Sequence, residues 1–385
     1  MSQILNALFN GLSVGSVLLI VALGLAIVFG LMGAINLAHG ELMMLGAYTT
    51  FLVQNAMKPL GSPLFDLYIF VALPLAFLVA AIAGLILEKG VIRHLYGRPL
   101  ETLLATWGVS LILIQTVRSI SWTLTIVLGV LCLLYFGGKF VVQRFADWDR
   151  IQRWANPTLL SLSIAIALAT GFLLSQVDST ALNREWFSAR NVDVTAPAWL
   201  RGGILLGAVQ LPYARLFIIA LTILCTIGVY WFLNKSLWGL RIRAVTQNRE
   251  MSACLGIPTE RVDALTFALG SGLAGIAGCA VTLLGSVGPN LGSSYIVDAF
   301  MVVVVGGVGK LVGSIVAALV IGSFSYLIGS GTFLMMFGDI PSLASFFEFF
   351  ATTSMAKVMV FAAIVAFLQV KPAGMFPQKG RTIDA

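Results

Sequence analysis

Residues 14–32 read VGSVLLIVALGLAIVFGLM. The run has no charged side chain and no alternation of apolar with polar residues. A second run, LFIIALTILCTIGVYWFL at 216–233, has the same character. Crossing the hydrocarbon of a bilayer takes about 20 mostly apolar residues in a helix. A membrane barrel would instead show strands of about 10 residues with in/out alternation. With no water in the bilayer core, the backbone groups of such a run must pair inside its own helix. The whole chain agrees with this reading: of its 385 residues 59% are hydrophobic and 10% charged, and the mean hydropathy is +0.99. A soluble domain carries about 25% charged residues. The expected fold is an all-α integral membrane protein, a polytopic helical bundle of about ten or eleven spans that includes short or re-entrant segments.

Apolar length and polar breaks place helices near 4–32, 36–57, 64–87, 100–118, 121–143, 157–177, 213–233, 264–286, 311–330 and 355–370, with a shorter piece at 296–309. All of them fall in one expected permease domain, 1–385. Assigning the breaks to alternate sides puts most of the 23 Lys and Arg on one face, from Lys89 and Arg93 through Arg241 and Arg243 to Lys371. The positive-inside rule makes that face cytoplasmic. The C-terminus is then inside, and eleven crossings leave the N-terminus outside. The first Lys or Arg is Lys58, so no positive n-region precedes the first run, which is expected to remain as a helix. The net charge of +7 is dispersed, which argues for membrane topology and against nucleic acid. Cys132, Cys225, Cys254 and Cys279 are far apart and form neither a disulfide framework nor a zinc motif.

Two longer polar segments remain: 178–212 on the outside, expected as strands or turns, and 234–263 on the inside. In the second, RIRAVTQNREMSAC (241–254) reads as a helix on the cytoplasmic surface, stopped by Gly256 with Pro258 beyond it. Thr259 is the expected N-cap of the next helix. Such a basic segment can lie on anionic lipid headgroups or serve as a handle for a partner. The small-residue pairs Gly11/Gly15, Ala26/Gly30, Ala274/Gly278 and Gly309/Gly313 are expected to let helix backbones approach closely. VVVVGGVGKL (302–311) is not a phosphate-binding loop, because position 304 is Val where a Gly is needed and position 311 is Leu where Ser or Thr would hold magnesium.

Charge inside a bilayer is costly, so the stretch LMGAINLAHGELMMLGAY (31–48) stands out. Asn36 can cap a helix starting at Leu37, and Glu41 falls in its first turn, where a negative charge suits the helix dipole. His39 is either a hydrogen-bonded structural residue or a group facing a translocation path. Asn36, His39 and Glu41 are therefore the candidate path residues. His39 and His94 are the two histidines, with no HExxH spacing, and no metal or catalytic constellation is expected.

INLAHGELMMLGAY (35–48), WGLRIRAVTQNREMSACLGIPTERVDALTFALGSGLAGIAG (238–278) and KPAGMFPQKGRT (371–382) resemble the permeases of bacterial branched-chain amino acid ABC importers over nearly the whole chain. Within that family, RPLETLLATWGVSLIL (98–113), NVDVTAPAWLRGG (191–203) and residues 351–382 are similar to urea importer permeases, the first of two membrane subunits. The resemblance implies a second permease subunit of the same fold, an external substrate-binding protein, and two cytoplasmic ATPase subunits that bind ATP and magnesium, with no cofactor in this chain. It also implies that Glu250, Ala253, Cys254, Gly256, Ile257 and Pro258 form the ATPase-coupling loop, in the form EMSACLGIP in place of the generic Glu-Ala-Ala pattern. Compared with amino acid permeases, the region 119–189 is expanded by what reads as two helices. The cargo implied is urea, with branched-chain amino acids or other amides as the alternative, and a passive small-solute channel as a reading from another class. Near-absence of unpaired charge in the spans favours a neutral cargo.

Overall fold

The structure is a computed structural model that describes residues 2–33, 35–61, 64–145, 148–176, 186, 190–206, 209–336 and 347–376. Helices α1 (Ser2–Met32), α2 (His39–Met57), α3 (Tyr68–Gly90), α4 (Pro99–Ser119), α5 (Trp122–Phe145) and α6 (Trp148–Gln176) precede a hairpin of β1 (Gly203–Leu206) and β2 (Val209–Pro212). Then come α7 (Tyr213–Lys235), α8 (Leu237–Gln247), α9 (Arg249–Cys254), α10 (Thr259–Val281), α11 (Leu291–Gly306), α12 (Leu311–Gly329), α13 (Thr332–Met336) and α14 (Thr353–Val370). Among the described residues, eight helices are long and apolar enough to cross a membrane, with α11 and α14 shorter apolar helices. The expected polytopic all-α bundle is what the chain forms.

Several expected boundaries shift, each for a local reason. The second helix starts at His39 and not near 36, because the Asn36 side chain folds back to accept the Ala38 N–H at 3.1 Å. The expected 264–286 helix is α10, which begins at Thr259; Pro258 and not Thr259 takes the N-cap position, with no side-chain cap. The short piece expected at 296–309 is α11, which starts five residues earlier. The single surface helix expected at 241–254 is two helices, because Asn248 adopts an extended backbone and its Oδ1 accepts the Met251 N–H at 2.9 Å. The upstream piece, α8, starts at Leu237 on the Ser236 hydroxyl, which accepts the Gly239 N–H.

The chain forms two compact units, residues 1–111 with 192–385, and residues 112–191. The second unit includes the region 119–189. It is built on α5 packed against α6, and its outward side chains, such as Leu133, Phe136, Phe140 and Phe172, are exposed and apolar, as lipid-facing side chains are.

In the first unit α1 is the central helix, and the side chains of Val17 to Leu25 are almost wholly buried. A helix apolar all round is buried on all sides. α1 lies antiparallel along α12, where Gly11 faces Ser323, Gly15 faces Leu319 and Gly30 meets Gly309. α10 lies antiparallel along α3, where Ser271 faces Gly84 and Gly275 faces Ala76. α1 and α10 themselves cross at Gly24 and Gly270, each glycine against the other's carbonyl. The start of α2 meets the start of α11 at Gly40 and Gly292. Exchanging α1 with α10, α2 with α11 and α3 with α12 reproduces this set of contacts, so the unit contains two halves of opposite direction related by a two-fold. An inverted repeat of this kind commonly holds a transporter's path at the repeat interface.

The external segment pairs back onto the outer ends of these helices. Val192 bridges Val287 in the turn after α10, Gln54 of α2 hydrogen-bonds Thr195, and the Tyr68 hydroxyl donates to the Thr195 carbonyl at 3.0 Å. Of the expected outer loop 178–212, residues 178–185, 187–189 and 207–208 lie outside the described residues.

A Cβ on Gly278 would lie 2.0 Å from the Met43 carbonyl oxygen, whereas one on Gly228 of α7 meets nothing within 4 Å. Overpacking costs about 1–3 kcal/mol or more. Gly278→Val is expected to lower the melting temperature and membrane yield sharply, with Gly228→Ala close to the parent, measured by fluorescence-detected thermal unfolding in detergent.

Candidate functional site

Gly270 is the middle residue of the 23-residue helix α10, and Gly24 lies eight residues before the end of α1, so the α1/α10 crossing falls inside the span of both helices. The His39 ring packs on Gly24 at that crossing, and its Nε2 donates to the Val21 carbonyl at 3.2 Å. His39 therefore ties α2 to α1 and is fully buried, the structural role among its two readings. Asn36, also buried, shapes the turn before it. Glu41, two residues after His39, reaches the other way. Its Oε1 accepts the Ser110 hydroxyl of α4 at 3.1 Å and the Ser293 hydroxyl of α11 at 3.2 Å, and its Oε2 lies against Gly292. A carboxylate there faces the first turns of two helices, whose free N–H groups and dipoles favour negative charge.

One turn further along α11, Asp298 pairs with Lys357 of α14 at 2.7 Å. The same ammonium donates to the Ser294 carbonyl at 3.2 Å and lies 6.0 Å from the Tyr295 ring. Asp298, Lys357, Ser110 and Ser293 are not among the path residues expected from the sequence. The available signal was that Asp298 and Lys357 are the sole charged residues of the apolar stretches 291–306 and 353–370. Two lone opposite charges inside apolar helices call for each other.

The second cluster is cytoplasmic by the distribution of Lys and Arg. α9 ends where the Ile257 N–H bonds the Ser252 carbonyl and the Gly256 N–H bonds the Ala253 carbonyl, with Gly256 at φ +79°. That left-handed residue closes the helix and favours glycine. Glu250, Ala253, Cys254, Gly256 and Pro258 are exposed together, while Ile257 is half-buried against Ile242, Val245 and Val262. Met251 (60% exposed) and Leu255 (77%) add bare apolar surface to the same knob. Beneath it, Arg249 pairs with buried Asp263 at 2.6 Å and covers the Tyr96 ring at 4.8 Å. Arg93 bridges Glu260 at 2.9 Å and fully buried Glu88 at 3.3 Å. The carboxylates of Glu88 and Glu260 hold the Arg93 guanidinium above its ordinary pKa. The knob is thus bolted to α3 and α10, the pair that packs around the mid-span crossing.

Comparison with known families matches residues 7–368 to the one described as "Branched-chain amino acid transport system / permease component". The chain belongs to this family. It is 25% identical to the high-affinity branched-chain amino acid transport system permease protein LivH of Escherichia coli, over 96% of this chain and 94% of that protein. It is likewise 25% identical to the corresponding permease protein BraD of Pseudomonas aeruginosa, over 83% and 84%. A ribose import permease of Bacillus subtilis, RbsC, shares 32% identity over 28% of this chain and 35% of its own length. No solved structure matches. The chain is therefore a multi-pass protein of the bacterial inner membrane and the permease component of an importer that works with other subunits.

Removing one member of a buried ion pair costs roughly 3–5 kcal/mol, and less where one partner is in water. Arg249 is about half exposed and Asp263 buried, so Arg249→Ala is expected to destabilise the purified protein by about 1–2 kcal/mol. Arg249→Lys, which keeps the charge, is expected to retain most of the stability in the same thermal unfolding assay.

Proposed function

We propose that this permease forms, with a second permease of the same fold, the passage for urea in an ATP-driven importer. Two cytoplasmic ATPase subunits, binding ATP and magnesium, dock on Glu250–Pro258, and an external binding protein delivers the cargo. The observation that carries the coupling role is the exposed apolar knob of α9, closed by Gly256 and locked by Arg249 to α10, which Arg93 in turn ties to α3. Closure of the ATPase pair moves the knob, α10 and α3 as one body, and the crossing with α1 shifts with it. The reading of a neutral cargo is supported by internal matching of charge in the core. Glu88 pairs with Arg93, Asp263 with Arg249 and Asp298 with Lys357, and Glu41 is met by two hydroxyls. Each cation in this set is met by a carboxylate, so none waits for the carboxylate of a zwitterion.

Branched-chain amino acids are the second reading, favoured by the names of the relatives at 25% identity. Radiolabelled urea uptake with leucine competition separates the two. Urea uptake insensitive to excess leucine is expected, and leucine uptake without urea uptake overturns the cargo assignment. Gly256→Val forces a branched side chain into a left-handed conformation. It is expected to abolish ATP-dependent uptake while the protein still reaches the membrane; uptake at the parent rate contradicts the docking role. Urea flux through this chain alone in liposomes, without ATP or partners, would instead establish a passive channel.

A further inference from the structure

Ser293 and Ser294 are exposed at the start of α11, beside the half-exposed side chain of Lys357. α11 starts where Gly292 packs on Gly40, next to the mid-span crossing of α1 and α10, so this polar patch lies deep in the membrane. Exposed hydroxyls and an ammonium at that depth do not suit lipid tails. Polar groups within spans face a cavity, a pathway or another polypeptide.

The proton inventory of the patch is one-sided. The Ser293 hydroxyl donates to Glu41 Oε1, and the Ser294 hydroxyl donates to the Asn290 carbonyl at 3.2 Å. A hydroxyl has one proton and two lone pairs. With their protons committed, both oxygens keep lone pairs as acceptors, Ser293 at the edge of buried Glu41 and Ser294 at the exposed surface. Glu41 holds Ser293 in that state. It is 1% exposed, it also takes the Ser110 proton, and its Oε2 has no hydrogen-bond partner. The donor of the patch is Lys357, whose three protons are not exhausted by Asp298 and the Ser294 carbonyl.

We infer that Ser293, Ser294 and Lys357 form a mid-membrane binding site for a small neutral amide, taking its N–H groups on the two serine oxygens and its carbonyl oxygen on the lysine. The inference rests on the proposed urea passage and names the residues that select the cargo within it. Urea, with four N–H donors and one carbonyl acceptor, matches two acceptors and one donor. An amino acid also offers N–H donors, but its carboxylate would approach Glu41 and Asp298. The site favours a cargo that matches these hydrogen bonds without a negative charge, and the second permease supplies the facing wall.

The test uses the complete transporter in liposomes, with Ser293→Cys introduced after Cys132, Cys225, Cys254 and Cys279 are replaced by Ala. A thiol in a watered path reacts with a charged, water-soluble methanethiosulfonate reagent, whereas one in lipid stays protonated and inert. Reaction is expected, and saturating urea is expected to slow it about threefold or more while leucine does not. An inert thiol, or one that urea leaves unprotected, overturns the site. As a second variant, the Ser293→Ala/Ser294→Ala double is expected to lower urea flux about tenfold at unchanged membrane abundance, as for loss of paired hydrogen bonds. Ser293→Thr, which keeps the hydroxyl, is expected to hold the parent flux. Parent-level flux in the double variant overturns the site. A parent that takes up leucine but no urea overturns the cargo reading, and with it the ligand named here. A parent that takes up urea while the thiol is inert overturns this site alone.

Discussion

Backbone-to-backbone contact at a few glycines is the constraint from which the rest of the permease follows. In lipid there is no hydrophobic force to press helices together, and close packing with small residues takes its place. Gly24 on Gly270 sets the crossing of α1 and α10, Gly278 on Met43 seats α2 on α10, and Gly40 on Gly292 brings two helix starts together. With backbones this close, the crossing itself takes no side chain but the His39 ring, which packs on Gly24. The polar groups are displaced to the ends of α2 and α11, where Glu41 and its serine partners lie. The inverted pairing of halves and the position of the polar cluster are thus one fact of packing seen at two scales.

The same contacts give the cytoplasmic knob its mechanical value. α9 alone is six residues long and could not hold its direction. Its orientation comes from Arg249 on Asp263 and Tyr96, while Arg93 between Glu88 and Glu260 ties α3 to α10. The first clamp joins the knob to α10, and the second joins α10 to the end of α3. Those helices run without a break to the mid-span crossing, so a push on α9 is delivered to the polar cluster through stiff elements. Allosteric transmission needs an element with two arrangements that both sites bias. The crossing of α1 and α10 is the natural place for one, because glycine surfaces present little relief to sliding.

The fold class was legible because apolar length is a direct consequence of bilayer thickness, and runs such as 14–32 and 216–233 leave no other solution. The packing pairs of small residues were legible for the same reason. Boundaries were less so: Asn248 breaks the surface helix by taking a backbone N–H onto its side chain, a local competition that polar residues conduct anywhere. The inverted repeat was hidden because packing constrains size and not identity. In the polar cluster, Glu41 and His39 could be singled out, but Ser110, Ser293 and Lys357 lie far away in sequence, and nothing in spacing along one strand of text brings them to Glu41 or Asp298. The glycine stop at Gly256 was readable because a left-handed residue at a helix end has a strong sequence preference.

The central claim is that the chain is driven through a cytoplasmic knob by a neighbour that burns ATP. Cys254 sits exposed on that knob and is a natural reporter. The most direct measurement is sided labelling of Cys254 with a membrane-impermeant maleimide, with the other three cysteines replaced, in intact cells and in inverted membrane vesicles. Labelling only in inverted vesicles, and its suppression when the ATPase subunits are added back to stripped membranes, is the predicted result. Labelling from the external face, or labelling indifferent to the ATPase, would contradict the account.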